Sequence, residues 1–383
     1  MIDKGYLILA DITGYTQFLK ESELEHAQEI ITSLINAILN PIQPPIILHR
    51  IEGDAVFAYT TQNSFLQGQT LLESLEKLYF EFAHSLESND RNTTCDCRAC
   101  QNMNSLSLKM VVHYGEFGLQ TLGSQNELIG TDVNVAHRLL KNSIPEKTSV
   151  NTYLFLSETA VTEMKLGNFV ETLVPHIESY ENGDEVKGFV YDLGPVWARE
   201  QERQKVIINP QDAFASMGFD LPVPPPVAWD YLNEPSNRSH YREYDDNPLT
   251  GLNLGRMDVG TTYHCAHGES LTTETIIDWK PFDYVTFRGR GKMANFTFVF
   301  DFTYSLEQSD YGTHVSVSYS DLVAEPRTFL SRFMLPLFSM GFKLILLPNS
   351  GKQSSKILHE MIAKDRDSGR LEMKMISAQV NLG

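Results

Sequence analysis

Basic residues are scarce in this 383-residue chain: 31 lysines and arginines stand against 49 aspartates and glutamates, a net charge of −18. That balance lacks the cationic field that captures nucleic acid or an anionic lipid surface, so no nucleic-acid partner is expected. Cysteine is rarer still. The four in the chain are too few for a disulfide scaffold. Uninterrupted apolar runs of membrane-spanning length are missing: the longest, residues 329–347, contains Arg332 and Lys343 and is weakened as a helix by Pro336 and Gly341. Charges of that kind argue against a transmembrane segment. The run is expected to be a core-facing helix, with a helix lying on a membrane surface as the alternative. Residues 1–6 lack the basic stretch and apolar run of a secretory leader, and no internal repeat is visible, so a cytoplasmic location is expected. Apolar side chains are plentiful, at 42%, enough for ordered cores and, at this length, for more than one domain.

Residues 6–10 read as a buried strand and 14–38 as a helix with apolar residues at helical spacing, stopped by Pro41, Pro44 and Pro45. Residues 45–51 and 55–59 read as strands flanking the turn Glu52-Gly53-Asp54. A helix over 65–86, a polar cysteine-rich insert over 88–104, a strand over 106–114, a turn, a helix over 132–141, a strand and helix over 155–162 and a strand over 186–193 follow. This order predicts an α+β split βαβ sandwich of ferredoxin-like type over residues 1–196. A charged linker is expected over 197–209, a second α+β domain over 210–370 and a tail over 371–383. In the second domain, residues 296–306 and 313–322 alternate like half-buried antiparallel strands, and a long helix closes it.

Asp11 lies where a strand opens into a helix, and Asp54 lies in a hairpin turn. As neighbours at one sheet end they would repel unless a hard cation such as Mg²⁺ or Mn²⁺ lay between them. The alternative is a helix cap and a turn acid. The backbone from Ile12 through Thr13, Gly14, Tyr15 and Thr16 opens a helix, where amides can hold phosphate oxygens. Asn134 and Arg138, four residues apart on a predicted helix, share a face. They read either as a phosphoryl- and sugar-binding pair or as ordinary surface residues.

Asp11-Ile-Thr-Gly-Tyr-Thr16, Arg50-Ile-Glu-Gly-Asp54 and Glu127-Leu-Ile-Gly130-Thr-Asp-Val-Asn134-Val-Ala-His-Arg138 occur in this order, followed by Lys187-Gly-Phe-Val-Tyr-Asp-Leu193. The ordered set resembles the catalytic domain of class III nucleotidyl cyclases, the adenylyl and guanylyl cyclase family. The resemblance implies that Asp11 and Asp54, with the carbonyl of Ile12, hold two Mg²⁺ or Mn²⁺ ions. It implies that Asn134 orients the ribose and Arg138 stabilises the α-phosphate of a nucleoside triphosphate. In that family the two halves of a site come from opposite subunits, so a head-to-tail homodimer is implied. Arg50 stands where adenylyl cyclases of the family usually have Lys, and Glu127 where they usually have Asp or Thr. The charge signs match an adenine reader and favour ATP. GTP or a pyrimidine nucleotide stays open, as does an inactive cyclase fold that serves to bind an apolar ligand.

Cys95, Cys97 and Cys100 lie within six residues, a grouping that suits structural Zn²⁺ with His84, His113 or Cys265 as a fourth ligand. The alternative is a loop of reduced thiols. His264, Cys265 and His267 read as packed strand residues or half of a metal site. Pro225-Pro-Val-Ala-Trp229-Asp-Tyr-Leu-Asn-Glu-Pro235, Gly260-Thr-Thr-Tyr-His-Cys-Ala-His-Gly268 and Ile276-Ile-Asp-Trp-Lys-Pro281, with the closing helix, resemble the START-like, polyketide-cyclase-type (SRPBCC) helix-grip superfamily. That implies a curved antiparallel sheet gripping a helix around an apolar ligand cavity. Trp229 and Trp279 read as its lining or as core.

Overall fold

The computed structural model describes residues 2–92, 97–123, 125–180, 183–243, 248–267, 270–293, 296–325 and 329–372. The chain is mixed α+β and builds two eight-stranded sheets. Among the described residues no helix is long and apolar enough to cross a membrane.

The first sheet and its helices comprise β1 (Ile2–Thr13), α1 (Tyr15–Glu21), α2 (Leu24–Leu39), β2 (Ile47–Glu52), β3 (Ala55–Tyr59), α3 (Gly68–Asn92), α4 (Arg98–Asn102), β4 (Ser107–Leu122), β5 (Gln125–Ile129), α5 (Thr131–Leu139), α6 (Ile144–Thr148), β6 (Tyr153–Ser157), α7 (Glu158–Met164), β7 (Val174–Ser179), β8 (Glu185–Asp192) and α8 (Gly194–Glu202). The strand order is β2-β3-β1-β4-β6-β8-β7, with β5 paired to β4. β1 is antiparallel to β3 and to β4, and β2 is antiparallel to β3. Hence β1 and β2 are parallel with β3 between them, and β3 and β4 are parallel with β1 between them. These are two interleaved split βαβ units.

β1 alternates its side chains between two buried faces. Ile8, Ala10 and Ile12 join the larger core with residues of α2, α3 and α7. Leu7 and Leu9 face the other way, with Phe57, Tyr59, Val133 and Ala136. Asp11 shares the parity of Leu7 and Leu9 and so ends that second face. The strand runs on past Ala10 because β4 pairs with it from Ile2↔Gly118 to Thr13↔Ser107. The single helix expected over 14–38 is two, α1 and α2, parted at Ser22 and Glu23. α3 continues to Asn92, into the stretch read as an insert. β7, unforeseen, contains Pro175 and lies at the sheet edge, where a strand tolerates proline.

The second sheet comprises β9 (Ala215–Leu221), β10 (Leu249–Thr250), β11 (Thr262–His267), β12 (Ser270–Lys280), β13 (Tyr284–Met293), β14 (Phe296–Ser309), β15 (Gly312–Tyr319) and β16 (Val323–Glu325). α9 (Pro225–Asn233) and α10 (Pro235–Arg242) follow β9, while α11 (Phe329–Gly341) and α12 (Leu347–Asp367) close the chain. All pairings in this sheet are antiparallel. Leu347, Leu358 and Ile362 belong to its core, which aromatic rings fill: Phe287 stacks on Phe302 at 5.1 Å and Phe302 on Tyr319 at 5.5 Å. Trp229 is fully buried and meets Trp279 edge-on at 4.6 Å, so Trp229 fills core rather than lining a cavity.

The expectation that residues 329–347 face the core is corrected. Leu335, Phe338 and Phe342 pack against the second core, but Leu337, Met340, Leu344 and Ile345 are 61–75% exposed, because a helix on the surface can turn only one stripe inward. The charged connection does not hang free. The Val206 amide donates to Asp278 at 2.7 Å and the Ile208 amide to Thr303 at 3.0 Å.

Candidate active site

Pairing places Asp11 of β1 opposite Ala55 at the start of β3, immediately after the Gly53-Asp54 turn. The Ile12 amide donates to the Asp54 carbonyl at 3.2 Å, which fastens the turn to the end of β1. The two carboxylates are close enough to interact: the Asp54 pKa is raised, first by burial and then by the charge of Asp11. Lys109, directly across on β4, brings its ammonium to 3.0 Å from Asp11 Oδ2. Asp11, Ile12 and Asp54 are thus brought together as expected, with a lysine beside them that motif reading overlooked. Only the β1–β4 register could have revealed it.

Thr13 and Gly14 end β1 and turn into α1. Gly14 adopts φ +89°, and a Cβ there would approach the Ser105 carbonyl to 3.1 Å, so glycine is the residue the turn requires. The expected amide run is shorter than read, since Ile12 is already bonded to Asp54 and Thr13 lies in the β1–β4 ladder. Gly14 caps α1, and the amides of Tyr15 and Thr16 in its first turn have no intrahelical partner. The Thr13 hydroxyl is buried and has no hydrogen-bond partner among the described residues.

Asn134 and Arg138 lie on α5, which is seated by Asp132. Its carboxylate accepts from the Glu116 amide at 2.7 Å and contacts His113 Nε2 at 3.3 Å. A Cβ on Gly115 would come within 2.3 Å of that carboxylate, so the seat needs glycine at that position. Asn134 is exposed. Arg138 donates to Asp184 at 3.1 Å and lies over the Tyr180 ring at 4.6 Å, leaving its buried Nε without a partner among the described residues. Within one chain it bonds Asp184 rather than either metal-type aspartate. Arg50 and Glu127 do meet: Arg50 donates to Glu127 and to Glu52, each at 2.5 Å. Glu52 holds the Arg50 guanidinium above its ordinary pKa.

Cys97 and Cys100 lie beside His26 of α2, and Cys95 lies outside the described residues. The fourth-ligand candidates are corrected. His113 is engaged by Asp132, Cys265 is buried in the second core, and the imidazole beside the thiols is His26, not His84. His26 precedes the thiols by some seventy positions, a distance at which no local spacing marks a ligand. His264 bonds Thr250 at 2.8 Å. The side chain of His267 lies outside the described residues.

A cleft of 310 Å³ lies beside α3, lined by Glu73, Phe80, Arg256 and Trp279 among others.

A family model described as a protein of unknown function (DUF2652) matches residues 31–148. A curated relative, an uncharacterized protein of Mycobacterium tuberculosis, is 32% identical over 111 residues, 29% of this chain. The chain spans 50% of that relative's length. Solved structures with similar folds include a bacterial light-regulated adenylyl cyclase, at 13% identity and a TM-score of 0.37, covering 50% of this chain and 92% of that one. The adenylyl cyclase CyaB from P. aeruginosa is 15% identical with a TM-score of 0.32, covering 50% and 95%. At such identities and scores the functional reading rests on this chain's own residues.

Proposed function

We propose that residues 1–196 form a nucleotidyl cyclase domain that converts a nucleoside triphosphate, ATP in the favoured case, to a 3′,5′-cyclic nucleotide and pyrophosphate, as a head-to-tail homodimer. The observation that carries this reading is the meeting of Asp11 and Asp54 at one sheet end, with the Asp54 carboxyl pushed up by burial and by its neighbour. Hard oxygen donors that repel one another fit Mg²⁺ or Mn²⁺, and Asp11, Asp54 and the Ile12 carbonyl would hold it. Bound there, the metal would lower the pKa of the ribose 3′-hydroxyl and offset charge on the triphosphate.

The first-turn amides at Tyr15 and Thr16, with the unpartnered Thr13 hydroxyl, bind phosphate oxygens. The 3′-oxygen forms a bond to the α-phosphorus as the bond to the pyrophosphate oxygen breaks, and the hydroxyl proton leaves to solvent. Arg138 of the second copy, with its spare Nε donor, stabilises the crowded α-phosphate, and Asn134 of that copy orients the ribose. Arg50 and Glu127 read the base after opening their mutual bond. The exposed Leu48, Ile51 and Ile129 neighbour these residues in sequence and supply apolar surface for the second copy. Residues 210–370 act as a START-like helix-grip sensor for an apolar ligand, coupled to the cyclase domain through α3.

A second reading is favoured by Lys109. Its ion pair with Asp11 occupies the carboxylate a metal needs, as in a site that binds nucleotide without turnover.

The full chain incubated with ATP, GTP, CTP or UTP and Mn²⁺ should release pyrophosphate and one cyclic nucleotide, identified by mass. Asp54→Ala and Arg138→Ala should each be inactive alone. Mixed in equal amounts they should recover about a quarter of the wild-type rate, because half the dimers then hold one intact site. Absence of turnover with all four triphosphates sinks the enzyme and leaves the binding reading.

A further inference from the structure

The proposed chemistry makes no use of the cysteines ahead of β4. Cys97 caps α4, its sulfur accepting from the Cys100 amide at 3.5 Å. This one-turn arrangement sets the two sulfurs 3.4 Å apart, a non-bonded separation. From the first turn of α2, His26 brings Nδ1 to 3.2 Å from Cys97 Sγ. All three candidate ligand atoms lie within 4.8 Å of one another. A tetrahedral zinc with bonds of about 2.3 Å to sulfur and about 2.0–2.1 Å to nitrogen holds its ligand atoms roughly 3.5–3.8 Å apart. The Cys97–Cys100 and His26–Cys97 separations need to widen by only about a few tenths of an ångström to match, and the His26–Cys100 separation lies within 4.8 Å.

The surroundings suit a built site. Cys100 is buried, Cys97 and His26 are half-buried, and Ala99 and Cys100 belong to the main core. The Glu23 carboxylate, three residues before His26, accepts from the Ala99 amide at 3.2 Å and aligns the turn with α2. The His26 imidazole and the Cys97 sulfur are already within hydrogen-bond distance, a contact that a cation would replace.

We infer that His26, Cys97 and Cys100 form a zinc site that fastens the 97–100 turn onto α2. Two thiolates and an imidazole are soft and borderline donors, which select zinc over the hard cations suited to Asp11 and Asp54. Binding releases the two thiol protons to solvent and takes the imidazole neutral. Three protein donors leave one coordination position of the tetrahedron for a further donor or water. The site belongs to the helix layer, whereas Asp11 ends the opposite face of the sheet. Its role is to hold α2 and the turn together, independently of turnover.

The test uses the full chain, free of affinity tag, purified under reductant and titrated with Zn²⁺. Metal analysis should find about one zinc per chain. Cobalt exchange should give a thiolate charge-transfer band and the strong visible bands of a tetrahedral site. Cys97→Ser and Cys100→Ser should lose the metal, and His26→Ala should bind it at least ~10-fold more weakly. His26→Cys should retain zinc and intensify the charge-transfer band. If the loss variants do not fold, the wild type still decides: added zinc should raise its melting temperature and shield thiols from alkylation. A reduced wild type that takes up no zinc, or zinc bound equally by His26→Ala and Cys97→Ser, overturns the site.

Discussion

Two clusters of acids behave differently in this molecule. At the end of β1, Asp11 has one ammonium partner, Lys109, and Asp54 is left with a raised pKa. On α3, by contrast, Glu76 accepts from both terminal nitrogens of Arg256 at 2.8 and 2.9 Å and from the Tyr191 hydroxyl at 2.7 Å. Beside it, Glu73 accepts from Trp279 and Gln69 at 2.9 and 2.8 Å. The Leu66 amide just ahead of α3 and the Thr70 hydroxyl in its first turn donate to Asp230 of α9. The α3 cluster is a joint because Glu76 is held by a bidentate arginine and a tyrosine, although Glu73 Oε2 is buried without a partner among the described residues. The Asp11 and Asp54 pair lacks such a bidentate partner and is ready to exchange partners with a cation or ligand.

Breaking the joint should have the largest effect. Arg256→Ala leaves Glu76 buried without its bidentate partner, which costs about 3–5 kcal/mol, read as a lowered midpoint in urea unfolding. Replacing both groups, with Glu76→Gln and Arg256→Met, should recover most of that loss, since no uncompensated charge then stays buried. If the single variant unfolds at the wild-type midpoint, α3 is not the joint described here.

The two clusters were not equally legible in the sequence. Asp11 and Asp54 could be singled out because glycine turns flank them and an ordered set of phrases surrounds them. The strand end and the hairpin turn that carry them would meet at one sheet end if those strands were neighbours, and the β1–β3 pairing makes them so. Glu73 and Glu76 lie in an amphipathic helix where an acid ordinarily marks the solvent side, and Asp230 lies in α9, which is buried throughout. Their burial comes from packing α3 against residues some 160–206 positions away in sequence, and no local pattern encodes that. The same limit hid Lys109 and His26, which become neighbours of their partners only through strand register and helix packing. β7 escaped because a proline-bearing edge strand carries little apolar alternation. The exposed stripe of α11 escaped because Leu337 and Met340 look like core when composition is read without a partner surface.

The joint should also respond to pH in a direction opposite to that of an ordinary salt bridge. Burial pushes the Glu73 carboxyl up to about 8, against lowering by Arg256, Gln69 and Trp279, with Glu76 adding to the rise. Asp230 is pushed up to about 7. A carboxyl with a raised folded-state pKa holds a proton that the unfolded chain has released, so stability falls as pH climbs. The contribution is complete below the unfolded value and is lost as pH rises through about 8 for Glu73. Glu73→Gln stays neutral throughout. It should therefore match wild type near pH 4 and exceed it by about 4 kcal/mol near pH 8. A stability gap that is the same at both pH values would mean Glu73 is ionised in the fold.

At the end of β1 a smaller change is expected. Lys109 stands 3.0 Å from Asp11 and also lowers the Asp54 pKa by its charge. A divalent ion entering between the aspartates must displace this ammonium or accept its repulsion. Lys109→Met removes competitor and repulsion together, so Mn²⁺ should bind about tenfold more tightly near pH 8, roughly 1.4 kcal/mol. The same change strips Asp54 of a charge that favours its ionised form, so the affinity gain should be smaller at a lower pH. Titration calorimetry of the full chain with Mn²⁺ at both pH values separates these effects. Unchanged or weaker binding at pH 8 would make Lys109 a contributor to the site, placed to meet a phosphate alongside the metal, instead of a stand-in for the ion.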